Sequence, residues 1–221
     1  MTLRLAVFDC DGTLVDSQAN IIRAMEETFE RHRLDAPDRH ATRRITGLSL
    51  LEAMQVLLPD ADGALHLSLA EDYKLAFQRL RLRGELADEP LFPGVREGLA
   101  TLEKAGWLLG VATGKSDRGL KLCLEHHGLH PHFVTLQTAD RHPSKPHPAM
   151  LFAAIDEAGA QPALTAMIGD TTFDMEMAVA AGTRPLGVDW GYHDAHELED
   201  AGAHRVALDF AELLDMLEEM R

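Results

Sequence analysis

The chain has 221 residues, of which 46% are hydrophobic and 26% charged, as is typical of a soluble globular protein. Its formal net charge of −15 argues against nonspecific binding to nucleic acid, which needs a basic surface. The sequence contains no apolar run long enough to span a bilayer, and its first residues are too acidic for a signal peptide. Two cysteines do not make a disulfide framework, so a reducing, cytoplasmic setting is expected.

The first part of the chain predicts one strand followed by a block of helices. Residues 3–8 form an apolar run typical of a buried strand. Apolar residues then recur at helical spacing in three segments, at 18–34, 50–58 and 65–80. No convincing strand pattern lies between residues 18 and 88, so this region is predicted to be helical.

Strand and helix patterns alternate after the turn-forming segment 87–95. Strands are predicted at 107–113, 132–137, 164–170 and 184–190. Helices are predicted at 116–128, 147–159, 173–182 and 209–220. This alternation is typical of a parallel sheet with helices on both faces. The expected architecture is α/β: a doubly wound, Rossmann-like core (1–16 and 89–221) with an inserted helical cap (17–88).

Polar side chains stand at the ends of three predicted strands. Asp9 follows the first strand, Thr113 ends the next, and Asp170 ends the strand predicted at 164–170. Because ligands bind beyond the carboxyl ends of strands in open parallel sheets, these residues are expected to meet in one crevice. Asp11 could face the same side as Asp9, because side chains on a strand alternate with a period of two.

A pair of carboxylates this close indicates a bound cation. Two such groups repel, so one is protonated or both face a positive charge. Mg²⁺ suits oxygen ligands and binds through one or two carboxylates together with phosphate and water. Asp170 and Asp174 lie four residues apart, so both could project from one helix face toward such an ion. Mn²⁺ favours the same octahedral oxygen sites, and the choice between the two ions stays open.

Four segments, in order, resemble the motifs of the haloacid dehalogenase superfamily, in its phosphatase branch. They are DCDGTLVD (9–16), VATGK (111–115), SKPHP (144–148) and GDTTFD (169–174). The resemblance covers essentially the whole chain and implies a cap of the C1 type after the first strand. The phosphoglycolate phosphatases are the most similar subgroup, because segment 187–206 is similar to their closing segment.

The resemblance implies roles for the residues at the strand ends. Asp9 would be the nucleophile and form an aspartyl phosphate. Asp11 would protonate the leaving alkoxide and then activate the hydrolytic water. Thr113, Gly114 and Lys145 would bind the phosphoryl oxygens and stabilise charge in the transition state.

The resemblance also implies a metal site and a specificity loop. Mg²⁺ would bind Asp9, the backbone carbonyl of Asp11, and Asp170, while Asp174 would act through water or orient its neighbours. The ion and a lysine would give an acidic protein the local positive charge that a phosphate requires. A cap loop would reach over the site, where Arg44 could meet a substrate carboxylate and Gly47 would lie beside it.

Other interpretations of single motifs are weaker. The segment TGKS (113–116) suggests a phosphate loop, but that pattern needs a glycine where Leu109 stands. Cys10 is expected to serve packing, since Asp9 is the better nucleophile. The histidines of 126–132 are interrupted by glycine and proline, which disfavours a zinc site.

The leading functional hypothesis is a Mg²⁺-dependent phosphomonoester hydrolase acting on a small anionic phosphorylated metabolite, with 2-phosphoglycolate as the best guess. A phosphomutase similar to β-phosphoglucomutase shares all four motifs and is the alternative. A non-catalytic phosphate-binding module is a further alternative. A dehalogenase is disfavoured because the resemblance implies that those enzymes lack the carboxylate of Asp11. No nucleic-acid or membrane partner is expected, and the chain would be a monomer or a homodimer.

Overall fold

The computed structural model describes residues 3–220 and contains six strands in one sheet. The strands are β1 (Arg4–Phe8), β2 (Trp107–Thr113), β3 (Thr135–Thr138), β4 (Thr165–Gly169), β5 (Arg184–Val188) and β6 (Arg205–Ala207). Their order is β3-β2-β1-β4-β5-β6, and every neighbouring pair is parallel. The prediction of a doubly wound α/β fold is therefore confirmed.

Helices cover both faces of this sheet and also form a separate block. They are α1 (Gln18–Arg31), α2 (Arg39–Ile45), α3 (Leu50–Leu57), α4 (Gly63–Leu82), α5 (Val95–Lys104), α6 (Asp117–His126), α7 (Ala149–Ala158), α8 (Thr172–Ala181), α9 (Ala195–Asp200) and α10 (Phe210–Glu218). Across residues 3–220, none of the helices has the length and apolarity that crossing a membrane would require.

The central strand β1 divides its side chains between two hydrophobic clusters. Ala6 and Phe8 belong to a cluster with α5, α6 and α10. Leu5 and Val7 belong to a cluster with α7 and α8 on the other face. This division follows from the two-residue period of a strand, and it buries the sheet on both sides.

Helices α1 to α4 form a helical insert, residues 18–82, with a hydrophobic cluster of its own. Met25 and Phe29 of α1 pack there with Met54 of α3 and with Leu69 and Leu80 of α4. The insert leaves the sheet directly after β1 and precedes α5 and β2 in the chain. Division of the chain into a core (1–16 and 89–221) and a cap (17–88) stays a prediction.

The structure differs from the sequence-based elements mainly where elements are short. Helix α2 has seven residues, of which only Thr42 and Ile45 are buried, so its apolar pattern is too weak to predict a helix. Helices α5 and α9 and the three-residue strand β6 were also not predicted. Strand β3 begins later than predicted, because His130–His132 form a short 3-10 helix around Pro131.

Candidate active site

The candidate site lies where β1, β2 and β4 end. Strand β1 pairs with β2 on one side and with β4 on the other, so their carboxyl ends are neighbours. Asp9 follows β1, Thr113 ends β2 and Asp170 follows β4, and all three side chains are buried. The topology therefore brings these three sequence-predicted residues to one edge of the sheet, as expected for ligand sites in open parallel sheets.

Three carboxylates form the centre of the site. One oxygen from each of Asp9, Asp170 and Asp174 lies within 4.8 Å of the others, and all three residues are fully buried. Asp170 accepts hydrogen bonds from the hydroxyl of Thr13 at 2.7 Å and from the backbone N–H of Tyr192 at 3.0 Å. These donors hold Asp170 in place, while Oδ2 of Asp9 is buried with no hydrogen-bond partner among the described residues.

Asp174 is fixed at the start of α8. Its Oδ2 accepts from both the hydroxyl and the backbone N–H of Thr171, at 2.7 and 3.1 Å. Its Oδ1 accepts a hydrogen bond of 2.6 Å from Nζ of Lys145. Since both oxygens are engaged by protein groups, Asp174 serves chiefly to orient the lysine.

Lys145 places a buried positive charge against the carboxylates. Its Nζ lies 2.9 Å from Oδ1 of Asp9, an ion pair that is not aligned as a hydrogen bond. Burial alone lowers the pKa of Lys145, but Asp174 and Asp9 more than offset that effect and hold the pKa above its usual value. The lysine therefore stays charged between these two aspartates.

Burial raises the pKa of both remaining carboxyl groups. The pKa of Asp9 is raised to about 7 by burial, with Lys145 opposing the shift and Asp174 adding to it. Burial, then the charge of Asp9, holds the pKa of Asp170 well above its ordinary value. Burial thus outweighs the charge of Lys145 at Asp9 and is the largest cause of the shift at Asp170.

Asp11 lies beside this cluster and faces a cavity. It is 8% exposed, accepts a hydrogen bond from Ser17, and has Oδ1 2.8 Å from Nζ of Lys115. The sequence predicts neither partner of Asp11, although Lys115 belongs to the TGKS segment (113–116). Gly12 makes the turn possible: its φ is +87°, and a Cβ there would lie 2.1 Å from Oδ2 of Asp170.

Gly114 lies under a loop of the helical insert. A Cβ at Gly114 would stand 2.5 Å from the carbonyl oxygen of Leu48 and 2.8 Å from that of Gly47. Thr113 is buried next to it, and its hydroxyl accepts a hydrogen bond from the backbone N–H of Lys115 at 3.2 Å. The absence of a side chain at Gly114 thus lets the insert close over the end of β2.

Arg44 contacts the core rather than the cavity. Its guanidinium donates to Oε2 of Glu197 at 2.5 Å, and Arg43 donates to the carbonyl oxygen of Gly191 at 2.9 Å. The structure therefore does not bring Arg44 together with the other site residues, whereas Gly47 lines the cavity. Arg43 thus joins the insert to the loop that follows β5, and Arg44 joins it to α9.

A cavity of about 840 Å³ separates the insert from the core. Asp11, Gly114 and Lys115 line it together with side chains of α1, α3, α4 and α6, the loop 46–48 and the segment 86–89. Asp9 lies outside the lining, behind Asp11. A molecule in this cavity would reach the carboxylate cluster from the Asp11 end.

The site thus combines a parallel sheet, three buried carboxylates at its edge and one buried lysine. The sequence model of the family described as haloacid dehalogenase-like hydrolase matches residues 6–188, and the chain belongs to this family. Within it, the chain is a phosphatase, since the relatives that it resembles over nearly their full length are phosphatases.

Two curated relatives and one solved structure illustrate the similarity. The protein named "Probable phosphatase IndB" from Dickeya dadantii is 38% identical, over 95% of this chain and 91% of its own. A phosphoglycolate phosphatase from Chromobacterium violaceum is 34% identical, over 98% and 97%. The crystal structure of a hydrolase from Pseudomonas syringae has a TM-score of 0.85 and 28% identity, with 98% of each chain covered.

Replacing Lys145 tests whether it stabilises the buried carboxylates. We expect Lys145→Met to lower the free energy of unfolding by about 3–5 kcal/mol, because it leaves Asp9 and Asp174 buried without a counter-charge. Urea denaturation in the presence of a chelator measures this change. Lys121→Met is the matched control, since Lys121 is exposed on α6 and forms a loose ion pair with Glu125 at 3.9 Å. Equal losses in the two variants would contradict the role given to Lys145.

Proposed function

We propose that the chain is a Mg²⁺-dependent phosphomonoester hydrolase that forms an aspartyl phosphate on Asp9. The observation that carries this proposal is the unpartnered oxygen of Asp9, buried at the end of β1 beside Lys145 and two further carboxylates. A nucleophile needs a free oxygen, and a phosphoryl group needs positive charge close to it. The substrate would be a small anionic phosphorylated metabolite, and 2-phosphoglycolate is the first candidate because relatives carry that name.

The donor set fits a magnesium ion. Carboxylate oxygens of Asp9, Asp170 and Asp174 lie within 4.8 Å of one another, and Mg²⁺ prefers such hard oxygen ligands. Asp9, Asp170 and the backbone carbonyl of Asp11 would hold the ion, while Asp174 would act through water or orient its neighbour Lys145. When bound, the ion supplies positive charge that stabilises a transferring phosphoryl group. Mn²⁺ would suit the same oxygens.

The protein side chains divide the reaction between them. The carboxylate of Asp9 attacks phosphorus, so that an oxygen–phosphorus bond to Asp9 forms while the bond to the substrate alkoxide breaks. Asp11 gives the departing alkoxide a proton and then takes one from the water that hydrolyses the aspartyl phosphate. Lys145 and Thr113 face the phosphoryl oxygens, and Lys145 offsets their charge.

The placement of Asp11 supports its assignment as acid and base. Asp11 lines the cavity, while Asp9 lies behind it. Ser17 and Lys115 fix its carboxylate from the side, so its orientation is set before a substrate enters. A leaving group in the cavity would therefore meet Asp11 first.

Replacing the nucleophile tests the reaction. With Mg²⁺ present, we expect phosphate release from at least one of 2-phosphoglycolate, sugar phosphates and pyrophosphate, and a loss of about 10³-fold or more in Asp9→Asn. Asp60→Asn, on the exposed side of the insert, serves as the matched control and should retain activity. Activity in Asp9→Asn would rule out the aspartyl phosphate. Release that depends on a bisphosphate activator would indicate the mutase alternative.

Thermal denaturation tests the metal site without measuring activity. We expect Mg²⁺ at about 100 times its dissociation constant to add about 2.7 kcal/mol of stability, which raises Tm by about 5–10 °C. Asp170→Asn should abolish this increase, and Asp60→Asn should keep it, each relative to the same variant with a chelator. An equal increase in Asp170→Asn would show that the ion binds elsewhere.

A further inference from the structure

We propose that the enzyme also hydrolyses phosphate monoesters whose organic group contains an apolar, aromatic ring. This inference rests on the phosphatase function proposed above and concerns the group that occupies the cavity between the insert and the core. The size of that cavity and the apolar side chains that line part of it point to this class of substrate.

The cavity is much larger than a two-carbon acid requires. Its volume of about 840 Å³ is in the range of pockets that enclose drug-sized molecules. 2-Phosphoglycolate has roughly nine non-hydrogen atoms. Even if each atom took up about 30 Å³, the volume of one water molecule in the liquid, the substrate would occupy about 270 Å³. About two thirds of the space would remain unfilled around that substrate.

One part of the cavity wall is apolar and aromatic. Met25 of α1, Tyr73 and Phe77 of α4, and Leu122 of α6 all line it. The rings of Tyr73 and Phe77 have centroids 5.3 Å apart and meet edge to face at 61°. A flat ring on a substrate would extend this arrangement, because aromatic rings favour edge-to-face and offset contacts.

Two polar side chains of the cavity lining are paired with other protein groups. The side chain of Asn20 bonds the backbone of Ala87 through both its amide nitrogen and its oxygen, and it also donates to Glu89. Lys74 lies 3.5 Å from Asp140. A sugar hydroxyl placed against Met25, Tyr73 and Phe77 would be buried beside apolar carbon, and burying it unpaired is costly. This part of the wall therefore favours an apolar ring over a polar one.

Cationic side chains at the cavity offer partners to the phosphate of an ester. Arg81 and Arg118 line the cavity, and both are exposed. Lys115 also lines it, with Nζ 2.8 Å from Oδ1 of Asp11. Five carboxylates line the same cavity, so the positive charge is local to these cations.

Three esters with alcohol leaving groups test the proposal: benzyl phosphate, glucose 6-phosphate and 2-phosphoglycolate. We expect kcat/KM for benzyl phosphate to exceed that for glucose 6-phosphate by about 10-fold or more and to be no lower than that for 2-phosphoglycolate. A benzyl phosphate value below both others would overturn the proposal while leaving the phosphatase function intact. Hydrolysis of none of the three would instead remove the proposed function, and this inference with it.

Variants of the cavity wall show whether the ring is bound there. Phe77→Ala removes one aromatic contact, and Leu122→Trp fills the cavity from the side of α6. Each should lower the ratio of kcat/KM for benzyl phosphate to that for 2-phosphoglycolate by about 10-fold. Phe152→Ala is the matched control, since Phe152 is 49% exposed on α7 outside the cavity, and it should leave the ratio unchanged. An unchanged ratio in folded Leu122→Trp would overturn the proposal even if Phe77→Ala failed to fold.

Discussion

Burial of three neighbouring carboxylates, two of which pair with one lysine, is the constraint on which the rest of this structure depends. Ionised carboxylates away from water are costly unless they are paired or hydrogen-bonded. Asp174 satisfies this condition through Thr171 and Lys145, and Asp170 does so in part through Thr13 and Tyr192. Within residues 3–220, the carboxylate of Asp9 has one ion pair, with Lys145, and accepts no hydrogen bond.

The fold supports this arrangement by bringing two loops close to Asp170. The loop after β1 approaches it at Gly12, and the loop after β5 approaches it at Gly191, where a Cβ would also lie 2.1 Å from an atom of Asp170. Neither position has room for a side chain. The parallel pairing of β1 with β4 places the loop after β1 next to Asp170, which follows β4.

The helical insert gives the site its enclosure. Backbone carbonyls of Gly47 and Leu48 rest against Gly114, and the N–H of Ser49 donates to the hydroxyl of Ser144 at 2.8 Å. These contacts join the insert to the two loops that carry Thr113 and Lys145. Enclosure of this kind excludes water from the phosphoryl group and strengthens the electrostatic interactions within the site.

Much of the fold follows from the sequence because its signals are local. Strand β2 begins and ends at the predicted residues, 107 and 113, since a continuous apolar run between turn residues is typical of a buried parallel strand. Helix α2 and strand β6 lack such a signal, because their few buried residues depend on contacts with distant parts of the chain.

The residues at the strand ends are predictable for a similar reason, whereas the partners of Asp11 and Arg44 are not. Strand ends mark the positions of Asp9, Thr113 and Asp170 once the sheet is known to be parallel. The partners of Asp11 carry no periodic pattern, since short polar residues such as Ser17 occur in any turn. Arg44 meets Glu197 across 153 positions of sequence, and no local pattern shows which distant carboxylate an arginine will reach.

The most direct test of the carboxylate cluster is a count of the protons released when Mg²⁺ binds. Calorimetric titration of the metal-free protein in buffers of different ionisation enthalpy gives this number. We predict net proton release between pH 6 and pH 7, because burial raises the pKa of Asp9 to about 7 before the ion arrives and a bound cation favours the ionised form. Fewer protons should be released by Asp9→Asn. Magnesium binding with no release of protons would contradict the view that the buried carboxylates are the metal site.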